Sequence, residues 1–129
     1  MSRHKTLVIA ALISLVTATL VFGVADGAWL KSVPARDHDR TNPYQGQSDA
    51  VAAGRRVFAD HCSHCHGEDA GGTKKRPSLK SLRVQQEATE GDLHWLLVNG
   101  NMRKGMPSWS KLGDPQIWQV IAYVKSLHE

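Results

Sequence analysis

An all-α domain is what this sequence predicts, on three observations. Three segments carry apolar residues at helical spacing between recognisable start and stop signals. No stretch alternates polar and apolar residues in the manner of a half-buried strand. Residues 49–129 are also few for a self-sufficient core, so the helices need apolar contact beyond their own side chains.

The first helix is expected over about 49–61, with Ser48 or Asp49 as N-cap. Gly54 and Phe58 lie four apart on one face, and Val51 and Val57 extend its apolar surface. The second starts near Thr89, whose spacing to Asp92 matches a capping box with Asp in place of the usual Glu. Leu93, Leu96 and Leu97 form its stripe, and Asn99-Gly100 stops it. The third opens at Asp114 as N-cap, with Pro115 at the first helical position. Ile117, Ile121 and Val124 mark one face, with Trp118, Tyr123 and Leu127 alongside. Lys125 and His128 suit a helix C-terminus.

Between the first two helices stands Cys62-Ser63-His64-Cys65-His66, which holds both cysteines of the chain. A Cys-x-x-Cys-His run is the pattern of covalent c-type haem attachment. Two thiols add across the two vinyl groups of haem, and the adjacent histidine is held beneath the ring as a ligand to iron. Three other chemistries use some of these residues. A dithiol redox motif needs no following histidine and sits after a strand, which is missing here. A zinc site cannot use five ligands packed into five residues, and no second ligand pair follows at zinc-finger spacing. A disulfide would close a tight loop and constrain little. Haem attachment explains both cysteines and the histidine that follows them.

The chain has 129 residues, a formal net charge of +4 and 41% hydrophobic residues, part of them in one block. A basic start containing Arg3 and Lys5 is followed by the uncharged run 6–25, and the first acidic residue is Asp26. This is the layout of an export signal, with the basic residues held in the cytoplasm. Gly23-Val24-Ala25 and Ala25-Asp26-Gly27 offer small residues for cleavage, whereas the length of the run favours an uncleaved membrane anchor with Trp29 at the outer interface. The expected division is 1–28 signal peptide or anchor, 29–48 flexible tether and 49–129 folded domain. The tether expectation rests on the Pro, Gly, charged and amide residues of 31–47, and an ordinary loop wrapping the domain is its alternative. Export places the domain on the periplasmic side and removes nucleic acid as a partner.

With these elements in place, residues 49–129 resemble the class I cytochrome c family. Gly54 and Phe58 match the glycine and aromatic that let the family's N-terminal helix cross its C-terminal helix closely, and Tyr123 matches the aromatic at that crossing. The resemblance implies a small cytochrome c fold, with about three main helices around one haem c, bound through Cys62 and Cys65. Gly105-Met106-Pro107 matches the way the family presents an axial methionine, which makes His66 and Met106 the expected iron ligands; Met102 lacks that context. The resemblance also makes Pro77 the residue whose carbonyl orients His66. Trp109 is a candidate contact to a haem propionate, and Asn101 to the methionine sulfur or nearby backbone. His61 and His64 are expected at the surface, and His94 and His128 on solvated helix faces.

Lys74, Lys75, Arg76, Lys80 and Arg83 cluster after the motif, and Arg103 and Lys104 precede Met106. Residues 49–129 carry 11 basic and 9 acidic side chains, so a basic ring at the haem edge would be local rather than global. Such a ring speeds encounter with acidic partners. The function implied is one-electron transfer by a membrane-tethered or soluble periplasmic carrier. It would link a dehydrogenase or quinol-oxidising complex to an oxidase or reductase. The alternatives are a small haem subunit of a redox enzyme, and a haem enzyme or ligand sensor with a labile sixth position.

Overall fold

Gly54 sits where helix α2 (Ser48–His61) meets helix α5 (Asp114–Lys125), with the Gln119 backbone against its Cα. Any side chain there would strike that backbone, so only glycine permits so close a crossing. Phe58, one turn later, packs its ring 5.3 Å from that of Tyr123. The computed structural model describes residues 27–127. Among them the architecture is helical, without strands. Helix α1 is Ala35–His38, the turn α3 is Ser63–His66 and α4 is Glu90–Asn99.

Two apolar clusters flank α5. Val57, Phe58, Ala70 and Val120 form one, joined by half-buried Cys62, Leu79, Leu97 and Leu112. Ala88, Leu93, Ile117, Trp118 and Ile121 form the other. Of the stripe expected on α4, Leu93 is buried while Leu96 and Leu97 remain half-buried.

The capping box forms as expected: the Asp92 amide donates to Thr89 Oγ1 at 3.1 Å, and the Thr89 amide donates to Asp92 Oδ2 at 2.8 Å. Gly100 ends α4 with φ at 71°. The other two starts shift by a residue. Gln47, not Ser48 or Asp49, caps α2, and Gly113, not Asp114, caps α5. Asp114 is drawn away from capping because its carboxylate pairs with His94 and Arg40.

The stretch expected as a tether lies against the helices instead, as the wrapping-loop alternative requires. Trp29, Leu30 and Tyr44, all half-buried, pack on the second cluster. Buried Asn42 donates from Nδ2 to the Trp118 carbonyl at 2.8 Å, and the His38 carbonyl accepts from Thr89 Oγ1 at 2.8 Å. Polar composition hid these contacts, because they are made by three apolar side chains, the Asn42 amide and backbone groups meeting residues far away in sequence. The run 6–25 lies outside the described residues; among those described, no helix is long and apolar enough to cross a membrane.

His94 also departs from expectation. It is 4% exposed, stacked on Trp118 with centroids 4.2 Å apart. Arg40 donates to its Nδ1 at 2.9 Å, so Nε2 carries the hydrogen and donates to Asp114 Oδ1 at 2.9 Å. Burial, with the Arg40 charge beside it, lowers the His94 pKa below its ordinary value even though Asp114 pulls the other way. The ring is therefore a neutral hydrogen-bonding strut. His128 lies outside the described residues.

The segment 83–87 had no sequence forecast. Arg83–Glu87 forms a π-helix, with the Ala88 amide reaching the Arg83 carbonyl at 2.8 Å. Lys125, expected to serve the end of its own helix, instead donates to the carbonyls of Val84, Gln85 and Ala88 at the end of that π-turn.

Candidate functional site

Helix α2 ends by handing the chain to α3, so the motif begins where the Phe58 carbonyl accepts the Cys62 amide at 2.8 Å. The Cys65 and His66 amides both return to the Cys62 carbonyl, at 3.2 and 3.0 Å. A single helical turn thus carries both thiols and the imidazole. Cys62 is half-buried against Val57, Phe58 and Ala70, whereas Cys65 is exposed. No disulfide joins them. Burial, with Cys65 alongside, pushes the Cys62 thiol up to about 11, so it rests protonated. A dithiol redox centre needs the opposite, a thiolate stabilised near neutral pH. Among the described residues no three His, Cys, Asp or Glu side chains gather as a metal-holding group.

His66 is oriented from the loop that follows. Its Nδ1 donates to the Pro77 carbonyl at 3.0 Å, which leaves Nε2 as the nitrogen with a free lone pair. The loop is tied back to the motif by the Gly72 amide on the His66 carbonyl at 2.7 Å and by Thr73 Oγ1 on the Cys65 carbonyl at 3.3 Å. Thr73 and Arg76 then pair through their backbones.

Met106 stands at the end of a second, self-closed loop. Asn101 and Met106 exchange backbone hydrogen bonds at 2.8 and 3.0 Å, and Gly105 turns with φ at 77° between them. Met106 is half-buried, while Met102 at the tip is 72% exposed. Asn101 thus meets Met106 through its backbone. The two loops touch: Arg76 Nη1 donates to the Lys104 carbonyl at 2.6 Å. Sequence reasoning had placed Arg76 only among the surface cations, and nothing in its local context announces this reach. Trp109 is half-buried, with its amide on the Leu97 carbonyl and its ring 5.6 Å from exposed His61. His64 is exposed too.

The cations expected as a ring divide into two kinds. Lys80 lies near Asp69, and Arg83 pairs with Glu87 at 3.3 Å. Lys74, Lys75, Arg103 and Lys104 are exposed. A backbone hydrogen bond from Gly71 holds the Asp69 carboxyl below its usual range, with Lys80 helping.

An iron porphyrin fits this donor set. Two thiols share one turn with an imidazole whose Nε2 is left free, a thioether stands on the loop that Arg76 joins to it, and half-buried Leu79, Leu97 and Leu112 supply apolar surface.

Comparison with known proteins agrees. The family model described as cytochrome C oxidase, cbb3-type, subunit III matches residues 49–124. The cbb3-type cytochrome c oxidase subunit CcoP of Rubrivivax gelatinosus is 33% identical over 79 residues, covering 60% of this chain and 26% of that protein. The chain therefore spans about a quarter of that relative's length. Among solved structures, cytochrome CL from Methylophaga aminisulfidivorans MPT superposes with a TM-score of 0.57 and 26% identity, over 67% of this chain and 58% of that one. The c-type cytochrome XoxG from Methylobacterium extorquens AM1 shares the fold at a TM-score of 0.51 and 18% identity, over 60% of this chain and 49% of that one. With haem c as its covalently bound cofactor, this chain belongs to the family of cytochrome c oxidase, cbb3-type, subunit III.

Proposed function

We propose that Cys62 and Cys65 hold haem c through two thioether bonds, with His66 Nε2 and the Met106 sulfur as axial ligands. In this reading the domain passes single electrons on the periplasmic side of the membrane, from a dehydrogenase or quinol-oxidising donor to an oxidase or reductase. The export run 6–25 serves as anchor or cleaved signal. The observation that carries the reading is the 3.0 Å bond from His66 Nδ1 to the Pro77 carbonyl, on the same turn as both thiols. It fixes the ring and raises the basicity of Nε2.

When bound, haem supplies an iron that cycles between iron(III) and iron(II), at a potential that methionine ligation raises. The protein's part is to keep the ligands still. The motif turn and the Met106 loop are each closed by backbone hydrogen bonds, so neither needs to rearrange when the charge changes. Trp109, next to His61, is the candidate for a propionate contact. Exposed Lys74, Lys75, Arg103 and Lys104 favour an acidic partner surface, with an association rate that falls as salt rises.

A second reading, a small haem subunit of an oxidase complex, is favoured by the family match over residues 49–124. Haem-stained native gels of gently solubilised membranes separate the two: a free carrier runs alone, a subunit runs with its oxidase.

The ligands are tested by optical spectra of protein from cells able to mature c-type cytochromes. The oxidised protein should show a weak far-red sulfur-to-iron(III) band that vanishes in Met106→Ala. A wild-type protein without that band, binding carbon monoxide readily when reduced, sinks the carrier reading in favour of an enzyme or sensor with an open site.

A further inference from the structure

Arg76 and Pro77 are neighbours in sequence, yet they hold opposite halves of the site. The Pro77 carbonyl receives His66 Nδ1 at 3.0 Å. The Arg76 guanidinium reaches the other loop, donating to the Lys104 carbonyl at 2.6 Å and lying flat against Gly105. A Cβ placed on Gly105 would come within 2.9 Å of Arg76 Nη2, so the two fit without spare room. Arg76 is itself anchored, because its amide and carbonyl pair with Thr73, and Thr73 Oγ1 is bonded to the Cys65 carbonyl.

The gripped turn, Met102–Lys104 and Gly105, is exposed and buries none of its residues. Local opening of such a turn is cheap unless something outside it holds it shut. Its internal closure is the Asn101–Met106 backbone pair, with the Lys104 and Gly105 amides on the Asn101 and Met102 carbonyls, and the Arg76 bond is a tie from the neighbouring loop to its tip. A charged planar donor is suited to that task, since its bond to a carbonyl is stronger than a neutral one.

We propose that Arg76 is a positioning residue that clamps the methionine loop, so that both axial ligands hang from one dipeptide, Arg76-Pro77. This inference rests on the reading of Met106 as the sixth ligand. Its function is to keep the loop from swinging out and exposing iron to competing ligands.

The test uses the full-length holo-protein in the oxidised form, titrated with imidazole while the far-red band is followed. Imidazole replaces the Met106 sulfur without any change of oxidation state, so its apparent affinity reports how often the loop opens. Arg76→Ala should bind imidazole roughly tenfold more tightly, the factor set by one charge-assisted hydrogen bond. Lys75→Ala removes the same charge from the neighbouring exposed residue and should stay within about twofold of wild type. Should Arg76→Ala accumulate no holo-protein, Arg76→Met keeps the aliphatic stem and is read instead. Arg76 and Lys75 variants that titrate alike overturn the clamp. A wild-type protein with no far-red band fails differently, because it overturns the methionine assignment itself.

Discussion

Lys125 delivers its ammonium group to the Ala88 carbonyl at 2.6 Å, from a different helix and 37 residues further along the chain. The same nitrogen also meets the carbonyls of Val84 at 2.8 Å and Gln85 at 3.1 Å. Three donors thus answer three carbonyls at the end of the Arg83–Glu87 π-turn. Burial lowers the Lys125 pKa, the cost of holding a charge there.

Removing that ammonium should release the turn. Lys125→Met keeps the stem but leaves the carbonyls without their donor, and should cost about 2 kcal/mol. Urea unfolding measures the loss, and amide exchange should accelerate first at Ala88, whose own hydrogen bond closes the π-turn.

The helix crossing should tolerate no side chain at Gly54. Gly54→Val drives two methyl groups into the Gln119 backbone and should cost about 3 kcal/mol or prevent accumulation of holo-protein. Tyr123→Phe, which keeps the ring beside Phe58, should cost far less. Thermal unfolding of both variants checks the contrast.

Acid should act oppositely on two histidines at α4, His38 packed against it and His94 within it. His38 Nδ1 lies 2.9 Å from Asp92 Oδ1, and that hydrogen bond, with the Asp92 charge, raises the His38 pKa above 6.5. Its contribution is fully present below the ordinary value and disappears as pH rises through the raised one. His94 has a lowered pKa, so its contribution is present above 6.5 and is lost as pH falls through its folded value. The charges facing these rings are Asp92 and Asp39 for His38, and Asp114, Arg40 and Asp37 for His94. His38→Gln should therefore lower stability more at about pH 5.5 than at about pH 8. Equal losses at both pH values would exclude the Asp92 pairing as the source.

At Pro77 the change to test is conformational, since its carbonyl is backbone. Pro77→Ala frees the chain and loosens the hold on His66 Nδ1, making Nε2 less basic. The reduction potential should rise, by about 20 mV for a differential effect of half a kcal/mol. Voltammetry of the holo-protein reads it directly.

What could be foreseen from the residues follows a physical division. The attachment motif, the Gly54–Phe58 spacing and the Thr89–Asp92 box are local patterns, in which the partners are a few residues apart and the chemistry fixes the spacing. The His66–Pro77 bond was within reach because a family resemblance supplied the partner. The contacts of Arg76, Lys125, Arg40 and Asn42 were not, because their partners lie 28 to 76 residues away and long polar side chains carry no periodic signal of where they reach. His94 shows the same limit: its position on the helix said nothing of the arginine and tryptophan brought to it from elsewhere.

The docked course of residues 27–47 limits the domain's range of travel. A free chain of that length spans roughly 70 Å when extended, enough to let a cytochrome search a wide hemisphere. Wound against α4 and α5 through Asn42, Tyr44 and Trp29, it yields almost no slack. Under the proposed membrane anchoring, the domain would be held like a lamp on a short bracket rather than a float on a line. In that reading its partners would have to come within a small radius of the anchor.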